Sequence, residues 1–271
     1  MRNHTRYIDQ LNWSDTTKVP FQVYTNEDIY KLEQETIFRG DTWSFVALES
    51  ELLEAFSYKT TFVGDVPVVV TRDDKNSFYV WVNRCSHRGA EICRNRHGKS
   101  KDGTFTCVYH QWAFDATGDC VGVPFRKGHQ GKGGYPKEFK PSDRPLQKLK
   151  VETLGGVIFA SFANEGPTLE TYLGPEMVQM MGRVLCKPLE YLGVTRQYIN
   201  ANWKLYTENT KDPYHASLLH LFHATFGVYR STMGGGCQVG GPLGMHSLLS
   251  AYTIEDEDKS EYEKGDLRSY D

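Results

Sequence analysis

Two short segments of the sequence carry residues that could hold a metal centre. Cys85 and His87 stand two positions apart, and farther along the chain Cys107 and His110 stand three positions apart. Thiolate sulfur and imidazole nitrogen are both common metal ligands in proteins. The two pairs therefore predict a site with four ligands, contributed equally by the two segments.

The distribution of these ligands separates two kinds of centre. A structural zinc site usually takes two cysteines, or two histidines, from one short segment. Here each segment supplies one cysteine and one histidine, so both segments can reach both metals of a two-iron cluster. This arrangement favours a Rieske [2Fe–2S] centre over zinc, with two thiolates on one iron and two imidazoles on the other.

The other cysteines show no ligand spacing. Six cysteines could form three disulfides, but a chain of this length without an export signal makes a disulfide framework a poor interpretation. We expect the remaining four to be core or surface thiols: Cys93, Cys120, Cys186 and Cys237.

A second constellation, Asp212 with His215 and His220, could hold a mononuclear iron. Two histidines and a carboxylate on one face of an iron leave positions open for other ligands. In a regular helix, however, residues five apart lie about 140° apart around the axis, whereas His220 and His223 would share a face. The residues alone leave three alternatives: a helix distorted near Pro213, a different ligand pair, or ordinary histidines on an amphipathic helix.

The elements that would position these residues change in character along the chain. Thr25 and Asp28 resemble the capping box that begins a helix, and they predict a helix over Glu27–Arg39 that ends at Gly40. Seven β-rich runs separated by turn residues then predict a small antiparallel β domain, with both ligand pairs at the tips of hairpin-like segments. These runs are Trp43–Leu48, Thr60–Val63, Val66–Thr71, Phe78–Asn83, Thr104–Val108, Val151–Leu154 and Val157–Phe162.

Beyond this β-rich part the pattern is mixed. Arg126–Pro145 is rich in Gly, Pro and Lys, which predicts a surface loop. Val194–Asn200 predicts a strand and 202–226 a helix interrupted by proline. The glycines of 234–236 and 240–242 predict loops, and the charged stretch 255–271 a solvated segment.

Composition and charge exclude several classes of partner. The net charge of −3 argues against binding to nucleic acid or to an anionic membrane. No apolar run approaches the roughly 20 residues that span a bilayer. The polar N-terminus lacks the apolar core of a signal peptide, so we expect a cytoplasmic protein.

The sequence around the first ligand set resembles a known family. The patterns Cys-x-His-Arg-Gly and Cys-x-x-His-x-Trp-x-Phe are similar to the Rieske domain of the large (alpha) subunits of non-haem iron aromatic-ring-hydroxylating oxygenases. The matching positions outside the ligands are Arg88, Gly89, Trp112, Phe114 and Gly118. The run 212–227 is most similar to members that act on aromatic acids such as anthranilate, salicylate or terephthalate.

The resemblance implies roles for the second constellation. His215 and His220 match the iron ligands, and Asp212 matches a carboxylate that bridges His215 to the Rieske histidine of a neighbouring subunit, here His110. Asn209 would support the iron site. The family's third ligand, a carboxylate, lies farther along the chain than this sequence extends, so we expect a C-terminally truncated catalytic domain and assign none of Asp256, Asp258 and Asp271.

The resemblance also implies the fold and the cofactors. We expect an α+β protein with an N-terminal helical segment at 1–42, a Rieske domain at 43–163 and an incomplete, helix-flanked antiparallel-sheet catalytic domain at 164–271. The implied cofactors are the [2Fe–2S] cluster, a mononuclear Fe(II) and O₂, with electrons drawn ultimately from NAD(P)H.

The implied partners are a reductase or ferredoxin, an aromatic substrate, two further copies in a ring of three, and in some arrangements a small beta subunit. The alternative is a Rieske electron carrier without catalytic iron.

Overall fold

The computed structural model describes residues 11, 14, 15, 17–130, 132–212, 215, 219, 220, 222, 225, 226 and 234–252. The chain forms two compact units. One comprises Met1–Lys18, Asn26–Tyr172 and Met181–Thr195, and the other comprises Val19–Thr25, Leu173–Met180 and Arg196–Asp271. None of the helices in the described ranges is long and apolar enough to cross a bilayer.

The strands all pair antiparallel with their neighbours. In chain order they are β1 Ser44–Leu48, β2 Ser57–Val63, β3 Val66–Arg72, β4 Phe78–Val82, β5 His97–Lys99, β6 Phe105–Thr106, β7 Ala113–Phe114, β8 Cys120–Gly122, β9 Lys148–Leu154, β10 Val157–Ser161, β11 Gly234–Gly240 and β12 His246–Tyr252. They form a seven-stranded sheet in the order β1-β10-β9-β4-β3-β2-β5, a three-stranded sheet β6-β7-β8 and a two-stranded sheet β11-β12.

The helices are short. They are α1 Gln22–Thr25, α2 Glu27–Glu33, α3 Leu169–Leu173, α4 Pro175–Val184 and α5 Trp203–Lys211, and α2 continues into a π-helical turn over Gln34–Phe38. The few helices beside antiparallel sheets confirm the predicted α+β class.

Strands β3 and β4 are buried on both faces, which explains their nearly continuous apolar sequence. Alternate residues of a strand point to opposite faces, so Val68 and Val70 pack into one hydrophobic core while Val69 packs into another. In β4, Trp81 joins Val69 on its face. That second core also contains Cys85 and Cys107, so the sheet itself forms the floor beneath the predicted ligands.

Three predictions about the elements were wrong in detail. Asn26, not Thr25, caps α2, since its side chain accepts from the amides of Asp28 and Ile29. Residues 194–199 have no regular structure, because within the described ranges no strand lies beside them to complete a ladder. The triglycine 234–236 lies in β11, where full pairing with β12 outweighs the low strand propensity of glycine. The predicted helix over 202–226 with an interruption agrees with the structure, in which α5 ends at Lys211 and residues 215, 219, 222 and 225 are helical again.

Sequence reasoning also missed the short strands β5, β7 and β8. Two or three residues carry no readable alternation of apolar and polar side chains, so tertiary pairing alone defines these strands. Among its described residues, the predicted loop Arg126–Pro145 contains only a short 3₁₀ turn at Pro141–Asp143 and an isolated bridge between His129 and Lys132. The charged stretch 255–271 lies outside the described residues.

A nearly buried ion pair links the end of β1 to β2. Lys59 Nζ donates to Glu51 Oε1 at 2.7 Å, and the two side chains are only 10% and 3% exposed. The amide of Leu48 donates to the same carboxylate, and His97 Nε2 lies 3.2 Å from its other oxygen. Burial alone would raise the pKa of Glu51, but the hydrogen bonds from Lys59, Leu48 and His97 outweigh it and hold the pKa below its ordinary value.

Replacing Glu51 by glutamine should destabilise the fold by about 3–5 kcal/mol at neutral pH, because Lys59 is left buried without its partner. A carboxyl group with a depressed pKa stabilises the fold above its unfolded-state pKa, and this contribution is lost as pH falls through the folded value. Urea unfolding from pH 7 down to pH 3 should therefore show the gap between Glu51→Gln and the wild type closing.

The matched control is Glu54→Gln, because Glu54 pairs with Lys99 on the exposed surface and exposed pairs contribute little. A Glu51→Gln variant as stable at neutral pH as Glu54→Gln would contradict this account of the pair.

Candidate metal centres

The two segments that carry the cysteine–histidine pairs fold into loops with the same backbone hydrogen bonds. The amide of Cys85 donates to Ala90 O, and the amide of Gly89 donates back to Cys85 O. In the second loop the amide of Cys107 donates to the carbonyl five residues later, and the residue four after Cys107 donates back to it. Each cysteine is thus fixed at the start of an equivalent closed turn.

The residue four positions after each cysteine adopts a left-handed backbone. Gly89 has φ +74° and Gln111 has φ +57°. Glycine adopts this conformation without cost, whereas other residues seldom do. The second loop therefore holds a strained residue at the position that glycine fills in the first, a feature that the sequence does not reveal.

The strands place the two loops differently. The second loop is the tip of the β6–β7 hairpin, as predicted. The first loop follows β4, but β4 pairs with β3 and β9 while β5 pairs with β2, so this loop is not a hairpin tip. The two loops meet because β4 delivers Cys85 to the same core that the β6–β7 hairpin covers.

The four predicted ligands are grouped into a thiol pair and an imidazole pair. Cys85 and Cys107 are both buried and belong to the same core cluster. The rings of His87 and His110 lie 4.6 Å apart, centroid to centroid. A Rieske centre requires this division, because each of its two irons takes one kind of ligand.

The state of these side chains fits a metal cluster. Nδ1 of His87 is buried and has no hydrogen-bond partner among the described residues, which leaves its lone pair for a metal. Burial, with smaller contributions from His110 and Arg88, lowers the pKa of His87 and so favours the neutral imidazole that binds metal. Burial also raises the pKa of the Cys85 thiol, so a thiolate at this position requires positive charge beside it.

The side chain of Asn83 holds the backbone that follows the first loop. Its side chain donates to Cys93 O at 2.7 Å and accepts from the amides of Ile92 and Cys93. It is buried at the end of an apolar strand, and that position was the only signal in the sequence of its role. Ser86 ties the same loop to the carbonyl of Arg144 at 2.8 Å.

The remaining cysteines confirm their prediction as core or surface thiols. Cys93 and Cys120 are buried, and Cys186 and Cys237 are exposed. Burial raises the pKa of Cys93 to about 12. Cys93 is therefore an inert, protonated core residue at neutral pH.

The second constellation converges although its residues are not on one continuous helix. Helix α5 ends at Lys211, and Asp212 adopts an extended conformation with ψ 107°. Residues 215, 219, 222 and 225 are helical again, but His220 is not. These departures from regular helix bring Nε2 of His215 within 3.3 Å of Nε2 of His220, which removes the objection that residues five apart face different directions.

The geometry of this histidine pair suits metal binding. Metal–nitrogen bonds of about 2.1 Å at right angles place two ligand nitrogens about 3 Å apart, close to the observed separation. Asp212 Oδ2 lies 3.1 Å from His215 Nδ1, so Nδ1 carries the proton and Nε2 keeps its lone pair. Asn209 Nδ2 lies 3.0 Å from the same Nε2.

Among the described residues, no three His, Cys, Asp or Glu side chains surround one point, so the third ligand that the resemblance implies is not found there. Pro213, His223, Asp256, Asp258 and Asp271 lie outside the described part of the chain.

Comparison with known proteins places the chain in one family. Residues 42–141 match the family model of the Rieske [2Fe-2S] domain. The chain is 47% identical over 257 residues to the large subunit of anthranilate 1,2-dioxygenase from Burkholderia cepacia, a match that covers 95% of this chain and 60% of that protein. The chain belongs to the large subunits of Rieske-type aromatic-ring oxygenases.

Two further comparisons agree with this family. The chain is 41% identical over 266 residues to subunit alpha 2 of the terminal oxygenase component of terephthalate 1,2-dioxygenase from Comamonas sp., covering 97% of this chain and 64% of that one. The crystal structure of naphthalene 1,2-dioxygenase from Rhodococcus sp. bound to indole superposes with a TM-score of 0.70 at 28% identity, over 86% of this chain and 56% of that one. The chain thus spans about 60% of the length of these curated oxygenase subunits.

The left-handed residues of the two loops predict different responses to substitution. A Cβ at position 89 meets no atom within 4 Å, so Gly89→Ala should cost only the left-handed penalty of about 1–2 kcal/mol. Gln111→Gly removes that penalty and should change stability by no more than about 1 kcal/mol, since glycine adds freedom to the unfolded chain. Chemical unfolding of both variants measures the difference, and a Gly89→Ala variant as stable as Gln111→Gly would contradict the equivalence of the loops.

Proposed function

We propose that this chain is the oxygen-activating large subunit of an enzyme that hydroxylates an aromatic ring. The observation that carries the proposal is that one chain holds both halves of the chemistry. One unit holds a Rieske domain with paired cysteines and histidines, and the other holds two converging imidazoles oriented by a carboxylate. An electron-storing site and an oxygen-activating site are the minimum that such an oxygenase needs.

We assign Cys85 and Cys107 to one iron of the Rieske cluster, and His87 and His110 to the other. His215 and His220 are assigned to a mononuclear iron that also takes a carboxylate. When bound, the cluster supplies electrons one at a time and the mononuclear iron supplies O₂ activation. We also propose three parts of the chain: an N-terminal segment at 1–42, the Rieske domain at 43–163 and part of the catalytic domain at 164–271.

We propose that Asp212 orients His215 and links it to a neighbouring copy of the chain. By accepting a hydrogen bond from Nδ1 of His215, it fixes the tautomer and the plane of that ring and makes Nε2 a better ligand. Asp212 has a second carboxylate oxygen, and we propose that this oxygen meets His110 of a neighbouring copy. A single carboxylate would then hold both histidines in register across the subunit boundary.

Asn209 supports the same imidazole from the other side. Its side-chain nitrogen lies at hydrogen-bond distance from Nε2 of His215, the atom proposed to bind iron. We propose that Asn209 keeps the ring in place and turns to a neighbouring acceptor when Nε2 binds the metal, because one lone pair cannot serve both.

The proposed substrate is an aromatic carboxylic acid such as anthranilate or salicylate. Support comes from the names of two relatives, whose anthranilate and terephthalate substrates are aromatic acids. The proposed electron donors are a reductase, a ferredoxin or both, which deliver electrons from NAD(P)H. The other proposed partners are further copies of the chain in a ring of three and a small beta subunit.

An electron carrier without catalytic iron is the alternative. A carrier needs only the Rieske domain, which here spans 42–141. The similarity to anthranilate dioxygenase covers 95% of the chain, and it therefore extends into the part that contains His215 and His220. This extent favours the oxygenase over the carrier.

The substrate class can be tested by product analysis. We expect the purified protein that carries this sequence, supplied with Fe(II), a reductase and ¹⁸O₂, to form labelled hydroxylated products from anthranilate, salicylate or terephthalate. His215→Ala should abolish product while the Rieske spectrum remains, because it removes only the mononuclear site. Turnover of naphthalene with none of the acids would contradict the substrate class, and unchanged turnover by His215→Ala would contradict the site.

A further inference from the structure

An aromatic side chain of the second loop lies flat against a histidine of the first loop. The indole of Trp112 and the imidazole of His87 are parallel to within 6°, with centroids 4.9 Å apart. Trp112 is 4% exposed, so its ring has little freedom to turn. Its backbone carbonyl accepts from the amide of Cys107. Trp112 therefore connects the cysteine of one loop with the histidine of the other.

A second aromatic layer covers Trp112. Tyr135 and Phe139 stack on each other at 4.4 Å and 28°. Both meet the indole edge to face, at 6.5 Å and 6.0 Å. Both belong to the Gly-, Pro- and Lys-rich segment that sequence reasoning interprets as a plain surface loop. Together with Ser86 and His87, these rings line a cleft of the Rieske domain.

The layers have two physical consequences for a cluster held by His87. Adding an electron makes the cluster more negative, and surroundings poor in water disfavour the more charged state. The face of an aromatic ring is itself negative, so an indole stacked on the ligand opposes the added charge in the same direction. Both effects make the cluster harder to reduce, and solvent exposure is among the factors that set the potentials of such clusters.

We propose that Trp112 is a positioning residue of the Rieske centre. Held by its contacts with Tyr135 and Phe139, it fixes the plane of the His87 ring, covers one face of that ring against water and lowers the reduction potential. The inference rests on the proposed role of His87 as an iron ligand. It assigns a function to the loop segment that contains Tyr135 and Phe139: that segment sets how readily the centre accepts an electron.

The test is a redox titration of the full chain followed by EPR. In Trp112→Leu the equilibrium constant for reduction should rise at least tenfold, which is a positive shift of about 59 mV for one electron. Phe139→Leu should shift the potential in the same direction by less. Trp112→Phe, which keeps an aromatic ring on His87, should restore most of the wild-type value. Pulsed EPR of Trp112→Leu should show a changed coupling for one of the two coordinating histidine nitrogens.

The matched control is Trp43→Leu. Trp43 is also buried in the same unit, but it bonds to Pro167 O and lies outside the core that contains Cys85 and Cys107. Its removal should leave the potential and the nitrogen couplings unchanged. An unchanged or more negative potential in Trp112→Leu would overturn the proposal, as would an equal shift in Trp43→Leu.

Two further outcomes keep the test decisive. If Trp112→Leu assembles no cluster, Phe139→Leu decides, because only a positive shift in that variant supports the proposal. A His87→Ala variant that retains the wild-type EPR spectrum would overturn the ligand assignment and with it this inference. A wild-type spectrum lost in His87→Ala, together with an unshifted Trp112→Leu, would overturn this inference alone.

Discussion

Two thiols buried in one water-poor core are the constraint on which the rest of the Rieske domain depends. Cys85 and Cys107 come from loops that are distant in sequence, and both are buried among aromatic side chains. Neighbouring thiolates in such a core repel each other and lose their hydration, so they are stable only around a metal. The matched hydrogen bonds of the two loops hold the backbone in place for that purpose.

The seven-stranded sheet serves this constraint through its two-sided burial. One face packs Val68, Val70 and Val80 into a purely structural core. The other face packs Val69 and Trp81 beneath the loops, and Gly118 lies so close to Trp81 that a Cβ there would come within 3.2 Å of the indole. The same strands therefore stabilise the fold on one side and seat the metal loops on the other.

Much of the Rieske domain could be predicted from its sequence, because its signals are local. The ligand spacing, the valine-rich strands and the turn residues each act over a few positions, and the comparisons confirm the domain that they indicate. Asn83 and Tyr135 could not be predicted, since their roles depend on segments that meet only in the folded chain. The histidine pair illustrates the same limit. Its spacing indicated that the helix would have to be distorted, but the end of the helix at Lys211 and the irregular backbone at His220 are visible only in the folded chain.

Iron analysis combined with EPR can show whether one chain holds two separate iron centres. After anaerobic reconstitution with iron and sulfide, the account predicts about three irons per chain, of which two belong to a cluster with a Rieske spectrum. His215→Ala with His220→Ala should remove only the third iron. A wild-type protein that holds only the two cluster irons, and loses none in the double variant, would contradict the account and leave the chain as an electron carrier.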